Sequence, residues 1–138
     1  MTPRQSIEAL CRRRGEGAVV DECLAILRGA DPDPEILLGL AGPAARPFLT
    51  GEPRDDGYWL RVWATRGLLW AWDGRAVAEL RLALVDDSWR VREMALKVIA
   101  RHRVDDLLDD ASELRMDPVP RVREASARAT AALARAVC

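Results

Sequence analysis

The residues of this chain that could do chemistry fall into four groups. The densest is acidic: Asp105, Asp106, Asp109, Asp110 and Glu113 lie within nine positions. Spacing of i, i+4 pairs Asp105 with Asp109 and Asp106 with Asp110, so on a helix paired carboxylates could hold a divalent ion or exchange protons. Calcium sites recruit loop carbonyls and a turn glycine, and this segment has neither. The favoured reading is a solvated helix face, with Asp105 and Asp106 at a helix N-terminus. His102 is the single histidine. No Ser, Cys or Asp stands at a spacing that would let it activate a nucleophile, and Arg101 and Arg103 beside it disfavour its protonation. Cys11, Cys23 and Cys138 are odd in number and widely spaced. That argues against a disulfide framework or a zinc site, and Cys11 and Cys23 read as apolar packing residues. No metal, cofactor or catalytic constellation is expected.

The fourth group is aromatic and basic. Trp59, Trp63, Trp70 and Trp72 crowd into 14 residues together with Tyr58. Trp59, Trp63 and Trp70 share one helical face, at i, i+4 and i+11. Part of this cluster must pack against the Gly/Pro-rich stretch before it. The rest is a candidate hot-spot surface, since Trp beside Arg is a common binding anchor. Such a patch is also where a second copy of the chain would be expected to bind. Of the 21 basic residues, 20 are Arg and one is Lys97, a bias that a GC-rich coding genome produces without chemistry. With 22 acidic residues the net charge is -1, which disfavours a nucleic-acid binder by composition. No apolar run is long enough to span a membrane, and residues 1–14 lack the apolar core of a secretory signal. The expected setting is cytoplasmic.

The elements that position these groups follow from an internal repeat. At a step of 31 residues, Asp55, Asp86 and Asp117 align, and so do Leu60, Val91 and Val122. Next come Arg61, Arg92 and Arg123, then Ala64, Ala95 and Ser126. Arg66, Lys97 and Arg128 follow, then Gly67, Val98 and Ala129, all without a gap. A degenerate copy starts at Asp31–Pro32, 24 residues before the next. Each copy reads as two helices. Val77, Leu80, Leu84 and Val85 form one apolar stripe, and Val91, Ala95, Val98 and Ile99 form the next. Asp117–Pro118 reads as a helix start, with Asp capping and Pro at the first helical position, and Asp31–Pro32 repeats it. Residues 29–57 hold 10 of the 17 Gly and Pro residues and read as short helices at 34–40 and 44–49. Before them, 6–14 and 18–28 read as two further helices. No stretch alternates with period two, so no sheet is expected.

An Asp, a small aliphatic five residues on, then Arg and a small residue three later resembles the second half of a HEAT repeat. The matches are Asp55/Leu60/Arg61/Ala64, Asp86/Val91/Arg92/Ala95 and Asp117/Val122/Arg123/Ser126, and the resemblance covers residues 31–136. It implies an all-α fold: a short right-handed α-solenoid of antiparallel helix pairs in a single domain, with residues 1–30 as capping helices. It also implies that the Asp and Arg positions form a structural ladder between neighbouring pairs. A rung is needed in every copy, whereas a catalytic group is needed once. In such solenoids the second helices line the concave side. That would join Arg66, Lys97 and Arg128, then Trp59, Arg90 and Arg121, then Trp70 and Arg101, into basic, partly aromatic columns. The bland reading of the columns is a solvated face with Glu93–Lys97 and Glu124–Arg128 pairs.

The expected function is a non-enzymatic protein-interaction scaffold that holds another protein or an acidic peptide segment on this face and on the Trp cluster. The second reading is a nucleic-acid binder similar to the helical-repeat DNA glycosylases. A lyase of the pigment-attachment kind finds no nucleophile here. Fold alone does not decide among these.

Overall fold

The computed structural model describes residues 1–137, with side chains as far as Arg135; Cys138 lies outside the described residues. All regular structure in them is helical. The eight α-helices are α1 (Pro3–Arg14), α2 (Glu16–Leu27), α3 (Pro34–Ala41), α4 (Tyr58–Gly67), α5 (Val77–Ala83), α6 (Trp89–His102), α7 (Leu108–Glu113) and α8 (Pro120–Val137). Short 3-10 segments occupy Gly42–Leu49, Gly74–Ala76, Asp105–Leu107 and Leu114–Met116. The all-α class expected from the periodicity is thus the observed one. The chain forms two compact units, Met1–Asp73 and Gly74–Cys138.

The 31-residue period of the sequence is also a period of the elements. Helices α4, α6 and α8 begin at Tyr58, Trp89 and Pro120, each three residues after an aligned Asp. The 3-10 turns at Gly74 and Asp105, and the helices α5 and α7 that follow them, repeat at the same step. The aspartates explain part of this. Oδ1 of Asp86 accepts the Ser88 N–H at 2.9 Å, and Oδ1 of Asp117 accepts the Val119 N–H at 2.9 Å. Each closes an Asx turn that feeds the chain into its helix.

One helix start and one capping pair differ from the sequence reading by two residues, whereas α3 starts at Pro34 as read. Helix α8 begins at Pro120 rather than Pro118, because the Asp117 carboxylate is taken up by the Val119 N–H and by Arg92. Upstream, the capping pair is Asp33–Pro34 and not Asp31–Pro32: Asp33 Oδ1 accepts from the N–H groups of Glu35 (2.8 Å) and Ile36 (3.4 Å). Helix α1 starts earlier than expected, at Pro3, through a capping box in which Thr2 and Gln5 bond each other's backbone N–H.

In the Met1–Asp73 unit, Ile7 and Leu10 of α1, Val20 and Cys23 of α2, Ile36, Leu37 and Leu40 of α3, and Ala64 and Leu68 are all buried. Helix α4 crosses this core at Gly67 because no side chain stands there: a Cβ would lie 2.7 Å from Leu40 Cδ2 and 2.8 Å from Cys23 Sγ. Gly67→Val is therefore expected to cost about 1–3 kcal/mol by overpacking. Gly74→Ala, where a Cβ meets nothing within 4 Å, should leave thermal unfolding close to that of the parent. Equal melting temperatures for the two variants would refute the close approach.

In the Gly74–Cys138 unit, Leu80 and Leu84, Val91, Ala95, Val98 and Ile99, and Val122, Ala125, Ala129 and Leu133 form the core. The repeat positions Val91/Val122, Ala95/Ser126 and Val98/Ala129 all fall inside it. Ser126 is accommodated because its Oγ donates to the Ala111 carbonyl at 2.6 Å.

Candidate binding surface

Helices α6 and α8 make the most extensive helix–helix contact of the Gly74–Cys138 unit, and they run in the same direction. Arg92, near the start of α6, donates to Asp117, just ahead of α8, through Nε–Oδ2 at 2.8 Å and Nη2–Oδ1 at 3.3 Å. Its Nη1 donates to the carbonyls of Asp86 at 2.7 Å and Asp87 at 3.2 Å. The Arg92 and Asp117 side chains are 14% and 4% exposed, so this is a largely desolvated, bidentate ion pair. One copy later, Arg123 Nη1 donates to the Asp117 carbonyl at 2.8 Å. In the other unit, Asp55 is exposed and Arg61 half-buried.

With the two N-termini side by side, the residues that open α6 and α8 share a surface. Trp89 lies at its centre. The Arg90 guanidinium carbon stands 4.4 Å from the Trp89 ring centroid, and that of Arg121 stands 5.4 Å from it. Both distances are within cation–π range. Arg121 Nε also donates to Glu93 Oε2 at 3.0 Å. Glu93 is buried, and its other oxygen lies 3.9 Å from Lys97 Nζ. The expected Glu93–Lys97 contact is thus part of a three-residue group that crosses from α6 to α8. Further along the same helices, Lys97, Arg101 and Arg128 are exposed.

The repeat pattern assigns no role to Trp89. The available signal was its position: it directly precedes Arg90, and Arg121 follows at the repeat step. The sequence pairs Glu93 with Lys97 on a solvated face, and the burial of its carboxylate cannot be read from a helical stripe.

The tryptophans of the Met1–Asp73 unit are used differently. Trp63 is buried and meets Phe48 edge-to-face at 5.0 Å, while Trp59 stacks on it at 5.9 Å. Arg54 covers the other ring of the cluster, 4.3 Å from the Phe48 centroid. These side chains fill the space beside the 3-10 segment Gly42–Leu49, where Pro47 interrupts regular helix. Trp70 is half-buried. Arg66, unlike Lys97 and Arg128, is drawn inward, with Nη2 donating to the Leu40 carbonyl at 2.7 Å.

The remaining candidates stand apart. His102 is the half-buried last residue of α6. Asp105, Asp106, Asp109 and Glu113 are exposed, and Asp110 pairs with Arg81 at 3.5 Å. No group of three or more potential ligands that could hold a metal occurs among the described residues. No described helix is long and apolar enough to cross a membrane.

Cys11 is half-buried, and burial raises its pKa above the ordinary 9.0, with Glu16 and Glu8 adding to the effect. Burial pushes the Cys23 thiol up to about 12. The unfolded chain loses this proton near pH 9 and the folded chain holds it to higher pH, so the contribution of Cys23 to stability is full below pH 9 and shrinks above it. Alkylation at pH 8 should therefore spare Cys23 in the folded protein and reach it after denaturation. Rapid labelling of native Cys23, read by peptide mass, would contradict its burial.

Comparison of the sequence with family models, with curated proteins and with solved structures finds no match.

Proposed function

We propose that this chain is a non-enzymatic, HEAT-like interaction module that holds an acidic, extended segment of a partner protein on the α6/α8 face. The observation that carries this reading is the Trp89 ring with Arg90 and Arg121 both over it. An aromatic platform flanked by guanidinium groups offers apolar area and bidentate donors to carboxylates, and Trp and Arg dominate binding hot spots. Lys97, Arg101 and Arg128 extend positive charge along both helices, which would steer an acidic segment to the face. The Arg92–Asp117 pair is directed inward and supplies no group to this face.

The test is fluorescence anisotropy with a labelled Glu-rich peptide and, separately, a short labelled DNA duplex, each titrated over a range of salt. The peptide should bind, and Arg128→Glu should weaken it. Neutral Lys97→Gln is preferred to a reversal at that position, because a carboxylate there would face Glu93. Tighter binding of the duplex, with a salt slope near -0.9 per phosphate contacted, would replace this reading with the nucleic-acid one.

A further inference from the structure

Another arginine, Arg66, belongs to the Met1–Asp73 unit. Arg66 closes one end of a cleft of about 500 Å³ in the Met1–Asp73 unit, between the N-terminus of α1 and the C-terminus of α3. Thr2, Pro3 and Ser6 form one wall, and Ala41 and Pro43 belong to the other. Among the described residues no aspartate or glutamate lines the cleft, Arg66 is its one basic side chain, and Met1, which carries an α-amino group, also lines it.

Arg66 is half-buried, and among the described residues its one hydrogen bond goes to the Leu40 carbonyl. Its Nε is enclosed without an acceptor. No carboxylate pairs with it, and burial alone lowers its pKa from the ordinary value, with no charged neighbour acting on it. Guanidinium stays protonated in proteins, so the charge remains and lacks a counter-charge. Arg92, also partly buried near a helix junction, has its carboxylate within 2.8 Å. A desolvated cation without a partner is costly, and an anion entering the cleft would relieve that cost.

We propose that this cleft binds a carboxylate group, anchored by Arg66, with the apolar surface of Pro3, Ala41 and Pro43 receiving a short hydrocarbon portion behind it. A planar guanidinium matches a carboxylate in shape and charge. The apolar part of the lining favours an anion that carries hydrocarbon, which inorganic phosphate lacks. The carboxylate belongs either to a small aliphatic acid or to the C-terminus of a peptide.

The experiment is a titration of the whole chain followed by amide N–H chemical shifts. The probes are hexanoate, the neutral hexanamide, inorganic phosphate, and a tetra-alanine peptide with a free or an amidated C-terminus. Hexanoate should move the amide signals of Ser6, Ala41 and Gly42 with a dissociation constant on the order of 1 mM. Hexanamide and phosphate should bind at least about tenfold more weakly. Preference for the free-acid peptide over hexanoate assigns the source as a chain end, and the reverse assigns a small acid.

Arg66→Gln should remove the response. Because that change touches a partly buried side chain, Pro43→Glu provides a second variant: it sets a carboxylate at the exposed mouth and should also abolish hexanoate binding. Equal binding of hexanoate and hexanamide, stronger binding of phosphate, no shift at all, or an unaltered response in Pro43→Glu would each overturn the proposal.

Discussion

Arg92→Ala is expected to lower the stability of the chain by about 3–5 kcal/mol, the range for removing one partner of a buried ion pair. An exposed pair would cost under about 1 kcal/mol, and the geometry decides between the two cases. Asp117 is 4% exposed and accepts two hydrogen bonds from Arg92. Removing the guanidinium strands that carboxylate and also strips the Asp86 and Asp87 carbonyls of their donor. Asp117→Asn should cost less, because an amide oxygen can still accept the Val119 N–H, and the guanidinium that loses its counter-charge is the more exposed partner and keeps the Asp86 and Asp87 carbonyls. In the double variant the two losses should add to less than their sum, since the Ala no longer abandons a charge. Denaturant unfolding followed by circular dichroism measures all three. A loss from Arg92→Ala within the surface-pair range would mean that the pair is solvated and does not hold α6 to α8. Binding of the Glu-rich peptide, corrected for the unfolded fraction, should be unchanged in these variants, because Arg92 is directed at Asp117 and not at the outer face.

Trp89→Ala should weaken binding of the Glu-rich peptide by about 30-fold, corresponding to the roughly 2 kcal/mol that marks a hot-spot aromatic. The expected effect exceeds that of any single charge on the face. The ring supplies apolar contact area and also orders Arg90 and Arg121 above it. Trp89→Phe keeps a ring, though a weaker cation–π partner, and should fall between the two. The fold should survive both changes, since Trp89 is half-buried at the first turn of α6 while the core of that helix is Val91, Ala95, Val98 and Ile99. Loss of binding in step with loss of helicity would make Trp89 a packing residue. Unchanged affinity in a folded variant would remove the platform from the proposed function.

Some tryptophans were legible from pattern and others were not. The sequence places Trp59, Trp63 and Trp70 on one helical face, apart from the stripe of Leu60, Ala64, Gly67, Leu68 and Ala71 that the repeat register makes the core. A stripe is computed as though a helix had one partner. Helix α4 has more than one, because the 3-10 segment Gly42–Leu49 also lies against it and offers Phe48 to Trp63. Proline and glycine content announced that segment as irregular, yet its path across the side of α4 depends on contacts between residues 15 positions apart. Trp89 lacked such a stripe altogether, and only the approach of Arg121 from α8 gives it a role.

The sequence by itself determined the helical class, the 31-residue step, and which columns are apolar. These are properties of local periodicity: a residue's face on a helix is set by its neighbours three and four positions away. Asp86 and Asp117 each stand three residues before a helix for the same local reason, since each carboxylate closes a turn on its own chain. Tertiary structure alone decided where the charges went. Arg66, Lys97 and Arg128 occupy one register position, yet Arg66 turns to the Leu40 carbonyl, Lys97 lies beside buried Glu93, and Arg128 is exposed. A long, flexible side chain takes its direction from the nearest acceptor and from the water it would lose. Both depend on elements far away in the chain, so equal spacing cannot make equal arginines.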